Sequence, residues 1–207
     1  MHGHYRHIVF DIDGTLLDTE QAVLHSLQDV VRLGQGRALP LDDLKFALGI
    51  TGADALRHLG FDDLDAAQRL WDRRMAAYAD SVRVFPGVEP VLAKLKAAGC
   101  RAGIVTSKTR AEYRTDFAPF GLEGFFTAVV CADDTARHKP CGDPLLRYLQ
   151  AAGAAAEQTL YVGDSIYDSQ CARAAGVDFA LAGWGTQRTD IPFRHYLQKP
   201  QALLQLV

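Results

Sequence analysis

Two aspartates one residue apart, Asp11 and Asp13, directly follow the apolar run at residues 8–10. A short apolar run with β-branched residues is typical of a buried strand, and Gly14 marks a sharp exit from it. The two carboxylates therefore stand where a strand ends and a loop begins, which is the edge of an open α/β sheet where ligands bind. Paired there, they could hold a divalent cation, or one could attack while the other moves protons.

Other predicted strands are also followed by polar side chains that could bind a ligand. They are Thr106, Ser107 and Lys108 after one strand, Lys139 after the next, and Asp164 with Asp168 after a third. Taken singly, each has a plain structural explanation as a helix cap, a surface charge or a turn residue. Together they fall on one sheet edge, where carboxylates could hold Mg²⁺ while a lysine and hydroxyl donors face an aspartate. That combination suits a transferring phosphoryl group.

The composition is that of an ordinary globular protein. The 207 residues are 48% hydrophobic and 23% charged, and the net charge of -3 gives no electrostatic argument for binding nucleic acid or an anionic membrane. No apolar stretch approaches the length of a membrane span, and the first residues lack the apolar core of a signal peptide. The four scattered cysteines show no CxxC spacing, so we expect reduced thiols and a cytoplasmic protein, either monomer or homodimer.

The order of predicted elements defines a core and an insertion. Residues 19–82 carry helical patterns and no strand signal, whereas residues 83–207 alternate strands with helices. This alternation predicts a doubly wound, Rossmann-like parallel sheet built from residues 1–18 and 83–207, with a small all-helical cap domain at 19–82. Within the core we expect a helix at about 109–117, a last strand at 179–181 and a C-terminal helix.

Four segments of the chain resemble the ordered motifs of the haloacid dehalogenase superfamily. They read DIDGTLLDT at 11–19, VTS at 105–107, KP at 139–140 and GDSIYD at 163–168. The helical insertion is similar to the cap of the phosphoglycolate phosphatase-like and phosphomutase-like branch. The resemblance covers essentially the whole chain. It implies a Mg²⁺-dependent phosphatase that hydrolyses a small phosphorylated metabolite, such as 2-phosphoglycolate or pyrophosphate, through an aspartyl-phosphate.

The resemblance also implies roles for individual catalytic residues. Asp11 would attack phosphorus, and Asp13 would protonate the leaving oxygen and then activate water. Thr106 would hydrogen-bond the phosphoryl oxygens with help from the Ser107 amide, and Lys139 would offset negative charge.

For the metal, the resemblance implies that Asp164 binds Mg²⁺ together with Asp11 and the main-chain carbonyl of Asp13. Asp168 would complete or orient this acidic cluster. The third motif departs from the family's pattern, because Gly142 stands where relatives often carry a second proline.

Substrate recognition is the less specific part of the prediction. Arg57 or His58 of the cap could reach a carboxylate or second phosphate, or could lie on a solvated helix face. Lys108 and Arg110 could likewise meet a second anionic group or decorate the following helix.

Three alternative functions remain open from the sequence. A sugar phosphomutase would return the phosphoryl group to its substrate, but the cap loop at 49–54 lacks the arginine that such relatives tend to have. A phosphoacceptor receiver domain would be shorter, without a cap, and with its acceptor on an interior strand. A non-catalytic phosphate-binding protein is disfavoured, because every expected catalytic position is filled.

Overall fold

The computed structural model describes residues 5–188 and 190–207. Within them it contains eight strands: β1 (His7–Phe10), β2 (Leu17–Asp18), β3 (Arg83–Val84), β4 (Arg101–Val105), β5 (Phe126–Val130), β6 (Thr159–Gly163), β7 (Asp178–Ala182) and β8 (His195–Leu197). Six of the strands form a parallel sheet in the order β5-β4-β1-β6-β7-β8, and β2 pairs with β3 in a separate antiparallel ladder. The two sequence motifs at 11–19 and 163–168 therefore begin at the ends of adjacent central strands.

Helices cover both faces of this sheet. The α-helices are α1 (Glu20–Gln35), α2 (Gly52–His58), α3 (Leu64–Ala77), α4 (Val88–Ala97), α5 (Arg110–Glu112), α6 (Asp143–Ala152) and α7 (Ile166–Ala175). Alternate residues of β1 face opposite ways, so Ile8 and Phe10 share a hydrophobic cluster with α4, whereas Val9 lies in a second cluster with α6 and α7. The predicted doubly wound α/β architecture is confirmed.

Between β2 and β3 the chain is helical, as predicted, and has a hydrophobic cluster of its own. Leu24, Leu27 and Trp71 belong to this third cluster, which joins α1, α2 and α3. The Trp71 indole nitrogen donates a hydrogen bond of 2.8 Å to the Ser26 hydroxyl, which removes an otherwise unsatisfied buried donor. We call residues 19–82 the helical segment.

One sequence-based expectation for the core was wrong, because the strand expected to be the last, β7, is followed by a further strand, β8. The expected C-terminal helix is present as a 3-10 helix at Pro200–Gln205. The helix expected at 109–117 is also present, but it is α-helical only over α5 and continues as a π-helical turn at Tyr113–Phe117. A proline at 119 stands just past this turn, where its ring and missing N–H oppose a continuing α-helix. None of the helices formed by the described residues is both long and apolar enough to cross a bilayer.

Candidate active site

The ammonium group of Lys139 lies between two buried carboxylates. Its Nζ is 3.1 Å from Asp11 Oδ1 and 2.8 Å from Asp168 Oδ1. Asp11 follows β1 and Asp168 lies in the first turn of α7, so the lysine joins two elements at the carboxyl edge of the sheet. The contact with Asp11 is an ion pair without hydrogen-bond geometry, because Asp11 Oδ1 has no hydrogen-bond partner.

Asp168 is held in place through both of its oxygens. Besides Lys139, its Oδ1 lies 2.9 Å from the Tyr161 hydroxyl, while Oδ2 accepts bonds from the Ser165 amide at 3.1 Å and the Ser165 hydroxyl at 2.5 Å. The Ser165 hydroxyl in turn accepts from the Asp168 amide at 3.2 Å, which forms a capping box at the start of α7. A carboxylate with this many donors is positioned to orient its neighbours.

Burial controls the electrostatics of this cluster. It raises the pKa of Asp11, and the nearby carboxylates of Asp168 and Asp13 add to that effect while Lys139 opposes it. The pKa of Asp164 is likewise raised well above its ordinary range, by burial first and then by Asp168 and Asp11. Burial alone would lower the pKa of Lys139, but its two carboxylate partners outweigh it and raise that pKa. The cluster combines three carboxylates, those of Asp11, Asp164 and Asp168, with one ammonium group, that of Lys139.

The same carboxylates fit a divalent cation. Asp11, Asp164 and Asp168 each offer an oxygen within 4.8 Å of the others. A buried oxygen without a hydrogen-bond partner, as on Asp11, favours a hard cation that takes oxygen ligands. Asp164 has one oxygen engaged, since Oδ1 accepts a bond of 3.1 Å from the Thr15 hydroxyl. Because both Asp168 oxygens already have donors, Asp11 and Asp164 suit the role of direct ligands better than Asp168 does.

Gly14 allows the main chain to approach Asp164. Its φ is 73°, and a Cβ added there would lie 2.2 Å from Asp164 Oδ2, a distance that real side chains do not reach. Glycine alone accepts this left-handed backbone without strain and leaves room for the carboxylate. The DIDGT sequence thus brings the loop after β1 against the carboxylate that follows β6.

A second cationic centre adjoins Asp13. Lys108 Nζ is 3.4 Å from Asp13 Oδ1 and 3.0 Å from Asp116 Oδ2, and the lysine is buried. The Lys108 amide donates a bond of 3.2 Å to the Thr106 hydroxyl, which leaves the hydroxyl proton of Thr106 available for a ligand oxygen. These groups lie on the β4 side of the site.

A cleft of about 1690 Å³ opens between the helical segment and the carboxyl edge of the sheet. Among the predicted site residues, Asp11, Asp13, Ser107, Lys108 and Asp164 line it. Thr106, Lys139 and Asp168 are buried next to these lining residues.

The structure does not bring three of the predicted substrate-binding candidates to the cleft. Arg57 is exposed on α2 and pairs with Asp54 at 2.6 Å. The His58 ring packs at a tilt against Phe46, which lines the cleft, but His58 itself does not line it. Arg110 pairs with Asp134 instead of facing the cleft.

Three hydrogen bonds hold the helical segment against the core at the cleft. The Ser107 hydroxyl donates to the Gly49 carbonyl at 2.9 Å, and Gln68 Nε2 donates to Glu112 Oε1 at 3.1 Å. The Tyr167 hydroxyl lies 3.4 Å from the Phe46 carbonyl. Ser107 therefore ties a motif residue directly to the loop at 49–52.

Close packing explains why glycine stands at position 142. A Cβ at this position would lie 2.8 Å from the Ala174 carbonyl carbon and 2.9 Å from the Ala175 nitrogen, so the loop before α6 runs against the end of α7. A proline would not fit there without moving one of the two segments. The departure from the family's pattern thus concerns packing, and Lys139 still lies against Asp11.

Sequence reasoning missed several residues that complete the site. Tyr161 and Ser165 hold Asp168, and Thr15 holds Asp164. A detectable signal existed for Tyr161, because its hydroxyl stands in an otherwise apolar central strand and must find a buried partner.

Replacing Tyr161 with phenylalanine should lower both stability and activity. The change removes a buried hydroxyl that lies 2.9 Å from the Val105 carbonyl and 2.9 Å from Asp168. We expect a loss of about 1–2 kcal/mol in the free energy of unfolding, measured by urea denaturation. Tyr148→Phe is the matched control, because this other fully buried tyrosine bonds His7, away from the site. Equal activity losses in both variants would contradict an orienting role for Tyr161.

Sequence comparisons match the chain to known proteins. Residues 8–182 match the profile described as haloacid dehalogenase-like hydrolase. The chain is 33% identical to phosphoglycolate phosphatase of Caulobacter vibrioides, with 97% of this chain and 91% of that relative covered. It is 28% identical to pyrophosphatase PpaX of Halalkalibacterium halodurans, with 88% and 86% covered.

A solved structure gives the same result for the fold. The crystal structure of a candidate phosphoglycolate phosphatase from Lactobacillus plantarum superposes with a TM-score of 0.89 at 30% identity, covering 98% of this chain and 99% of that one. With the family profile spanning most of the sequence and the carboxylates gathered at one sheet edge, the chain belongs to the haloacid dehalogenase-like hydrolase family.

Proposed function

We propose that the protein is a Mg²⁺-dependent phosphatase that hydrolyses a small phosphorylated metabolite through an aspartyl-phosphate on Asp11. The observation that carries this proposal is the position of Lys139 against Asp11, in a cleft that Asp13 also lines. A carboxylate nucleophile beside a fixed cation suits attack on a phosphoryl group, whose charge must be offset as the bond forms.

In the first half-reaction, an Asp11 oxygen attacks phosphorus and forms a new O–P bond while the bond to the leaving oxygen breaks. Asp13 gives its proton to that leaving oxygen. Thr106 donates its hydroxyl proton to a phosphoryl oxygen, and the Ser107 amide acts as a second donor. Lys139 offsets the negative charge between Asp11 and the phosphoryl group.

In the second half-reaction, Asp13 takes a proton from a water molecule as that water attacks phosphorus. The bond between phosphorus and the Asp11 oxygen breaks, which releases inorganic phosphate and restores the free carboxylate. An acid at position 13 favours transfer to water, because Asp13 is left as a carboxylate after the first step and can take a proton from the attacking water.

For the metal, we propose Asp11, Asp164 and the main-chain carbonyl of Asp13 as ligands, with Asp168 orienting the cluster. Bound Mg²⁺ would supply Lewis-acid stabilisation of the charge on the phosphoryl oxygens. Gly14 supports this arrangement, since it lets the loop after β1 approach Asp164.

We propose that the helical segment acts as a cap over this site. Its own hydrophobic cluster allows it to move as a unit, and its bonds to Ser107, Glu112 and Tyr167 hold it over the cleft. Closure would exclude water during the first half-reaction. Lys108 would lie next to the leaving group of the substrate, because its ammonium group contacts Asp13. We assign no contact with the substrate to Arg57.

The test is release of inorganic phosphate from a panel of small phosphate esters and pyrophosphate, with Mg²⁺ and with EDTA. We expect metal-dependent hydrolysis of one or two compounds, and chelation should lower the rate at least about 100-fold because a bound cation offsets the transition-state charge. Restoring Mg²⁺ should recover the rate. Phosphate release that EDTA leaves unchanged would contradict the metal assignment, and silence across the panel would contradict phosphatase activity.

A further inference from the structure

Among the described residues, all the buried side-chain nitrogen and oxygen atoms that make no hydrogen bond belong to residues that line one cleft. These atoms are Asp11 Oδ1, Asp13 Oδ1, Thr135 Oγ1 and His138 Nδ1, and the four residues line the same cavity. Buried polar atoms without hydrogen bonds are rare in native proteins, and where they occur they call for a functional explanation. Asp11 and Asp13 have one in the chemistry proposed above. Thr135 and His138 have none there.

Thr135 and His138 stand on the loop between β5 and α6 and line the cleft. The Ala132 amide of this loop donates a bond of 2.8 Å to the Lys108 carbonyl, and Asp133 accepts one of 2.9 Å from the Arg110 amide. The loop therefore lies against the segment that carries Lys108, which in turn contacts Asp13. The Thr135 hydroxyl and the His138 imidazole can each form a hydrogen bond with a ligand.

The cations around the cleft are already paired with carboxylates. Lys108 is shared between Asp13 and Asp116, and Asp116 is fixed by a further bond of 2.7 Å from the Thr115 hydroxyl. While Asp13 carries the proton that it gives to the leaving oxygen, the charge of Lys108 is balanced by Asp116. A second anionic group on the leaving-group side would therefore meet no unpaired positive charge.

Among the described residues, the other lysine and arginine that line the cleft are also paired with carboxylates. Lys45 pairs with Asp42 at 2.7 Å, and Arg188 pairs with Asp190 at 2.5 Å. The lining also includes many further carboxylates: Asp18, Glu20, Asp65, Asp72, Asp80, Glu112 and Asp133. The cleft is thus poorly suited to a carboxylate or a second phosphate on the leaving group.

We propose that the substrate is a phosphate monoester of a neutral, hydroxyl-bearing alcohol, and that Thr135 and His138 recognise a hydroxyl of the leaving group. This inference rests on the proposed phosphatase function and narrows its substrate class. A hydroxyl both donates and accepts, so it satisfies a threonine oxygen and an imidazole nitrogen without adding charge to the acidic cleft. Two-carbon esters ending in a carboxylate, and pyrophosphate, are disfavoured by the same charge balance.

The test is a matched series of two-carbon phosphate monoesters assayed with Mg²⁺ at one fixed pH. The series is 2-hydroxyethyl phosphate, ethyl phosphate, 2-phosphoglycolate and 2-aminoethyl phosphate. We expect kcat/KM for 2-hydroxyethyl phosphate to exceed that for ethyl phosphate by about tenfold, as a buried hydrogen bond allows, and to exceed that for 2-phosphoglycolate by at least as much.

Variants separate recognition from general damage. Thr135→Val and His138→Ala should bring the ratio of kcat/KM for 2-hydroxyethyl phosphate over ethyl phosphate close to one, while kcat/KM for ethyl phosphate stays nearly unchanged. Thr127→Val is the matched control, because its hydroxyl bonds the Ala102 carbonyl and lies outside the cleft lining. Asp116→Asn should raise relative activity toward 2-phosphoglycolate, since it frees Lys108 to meet a carboxylate.

The possible results distinguish this inference from the function on which it rests. If wild-type protein hydrolyses 2-phosphoglycolate or pyrophosphate best, the phosphatase function stands and the neutral leaving group is wrong. Recognition of a leaving-group hydroxyl is equally wrong if neither Thr135→Val nor His138→Ala changes the hydroxyethyl-to-ethyl ratio. If no ester or pyrophosphate releases phosphate with Mg²⁺, the phosphatase function itself fails and takes this inference with it.

Discussion

Replacing Asp11 with asparagine is expected to abolish phosphate release while leaving the fold intact. An amide lacks the nucleophilic oxygen that attacks phosphorus, so we expect the rate to fall at least about 1,000-fold, as when other covalent nucleophiles are removed. Asparagine has nearly the same shape as aspartate. The change also removes a buried carboxyl group whose pKa is raised by burial. Stability should therefore be unchanged or slightly higher.

Two measurements check the Asp11→Asn prediction together. Phosphate release reports the chemistry, and urea denaturation reports the fold. Asp42→Asn is the control, because Asp42 is an exposed aspartate that pairs with Lys45 on the surface. Hydrolysis retained by purified, folded Asp11→Asn protein would exclude Asp11 as the nucleophile.

Replacing Lys139 with methionine should have the largest effect on stability of any single change at the site. Methionine keeps the length of the side chain but leaves Asp11 and Asp168 without their shared cation, and the lysine side chain is only 1% exposed. Removing one partner of a buried ion pair typically costs about 3–5 kcal/mol. Phosphate release should also fall, since the phosphoryl charge would no longer be offset.

The stability lost in Lys139→Met should depend on pH when the protein is free of metal. Without the lysine, burial and mutual repulsion raise the folded-state pKa of the carboxylates above its unfolded value, so the native state holds protons that the unfolded state releases. The free energy of unfolding should therefore fall as pH rises above about 4, the unfolded range of aspartate, toward the raised folded pKa. Denaturation of the variant in EDTA across this range is the measurement. A loss that is independent of pH would show that packing, not charge, accounts for the effect.

The sheet and three of the residues at its edge were predictable because those residues come at the end of apolar runs. The end of a buried strand determines where the next side chain stands, so the positions of Asp11, Thr106 and Asp164 follow from local sequence. The order of the strands in the sheet then brings them together.

The direction of Arg57 was not predictable, because it depends on how α2 packs. The inner face of this helix is formed by the fully buried Ala55 and Leu56, which leaves Arg57 on the outside. Similarly, the π-helical turn that presents Asp116 and the final strand β8 depend on tertiary contacts that no short sequence window contains. Pairing partners such as Lys108 with Asp116 could be found only from the three-dimensional arrangement.

The short antiparallel ladder between β2 and β3 has a consequence for how such an enzyme could diversify. Leu17 pairs with Val84 and Asp18 with Arg83, so the chain leaves the sheet domain and re-enters it at adjacent points. Paired residues in such a ladder lie only about 5 Å apart. Everything between them can be exchanged for the corresponding piece of a relative, or shortened, without stretching β1 or β4. Evolution, or a protein engineer, can thus replace the helical segment as a module while the residues at the edge of the sheet keep their positions.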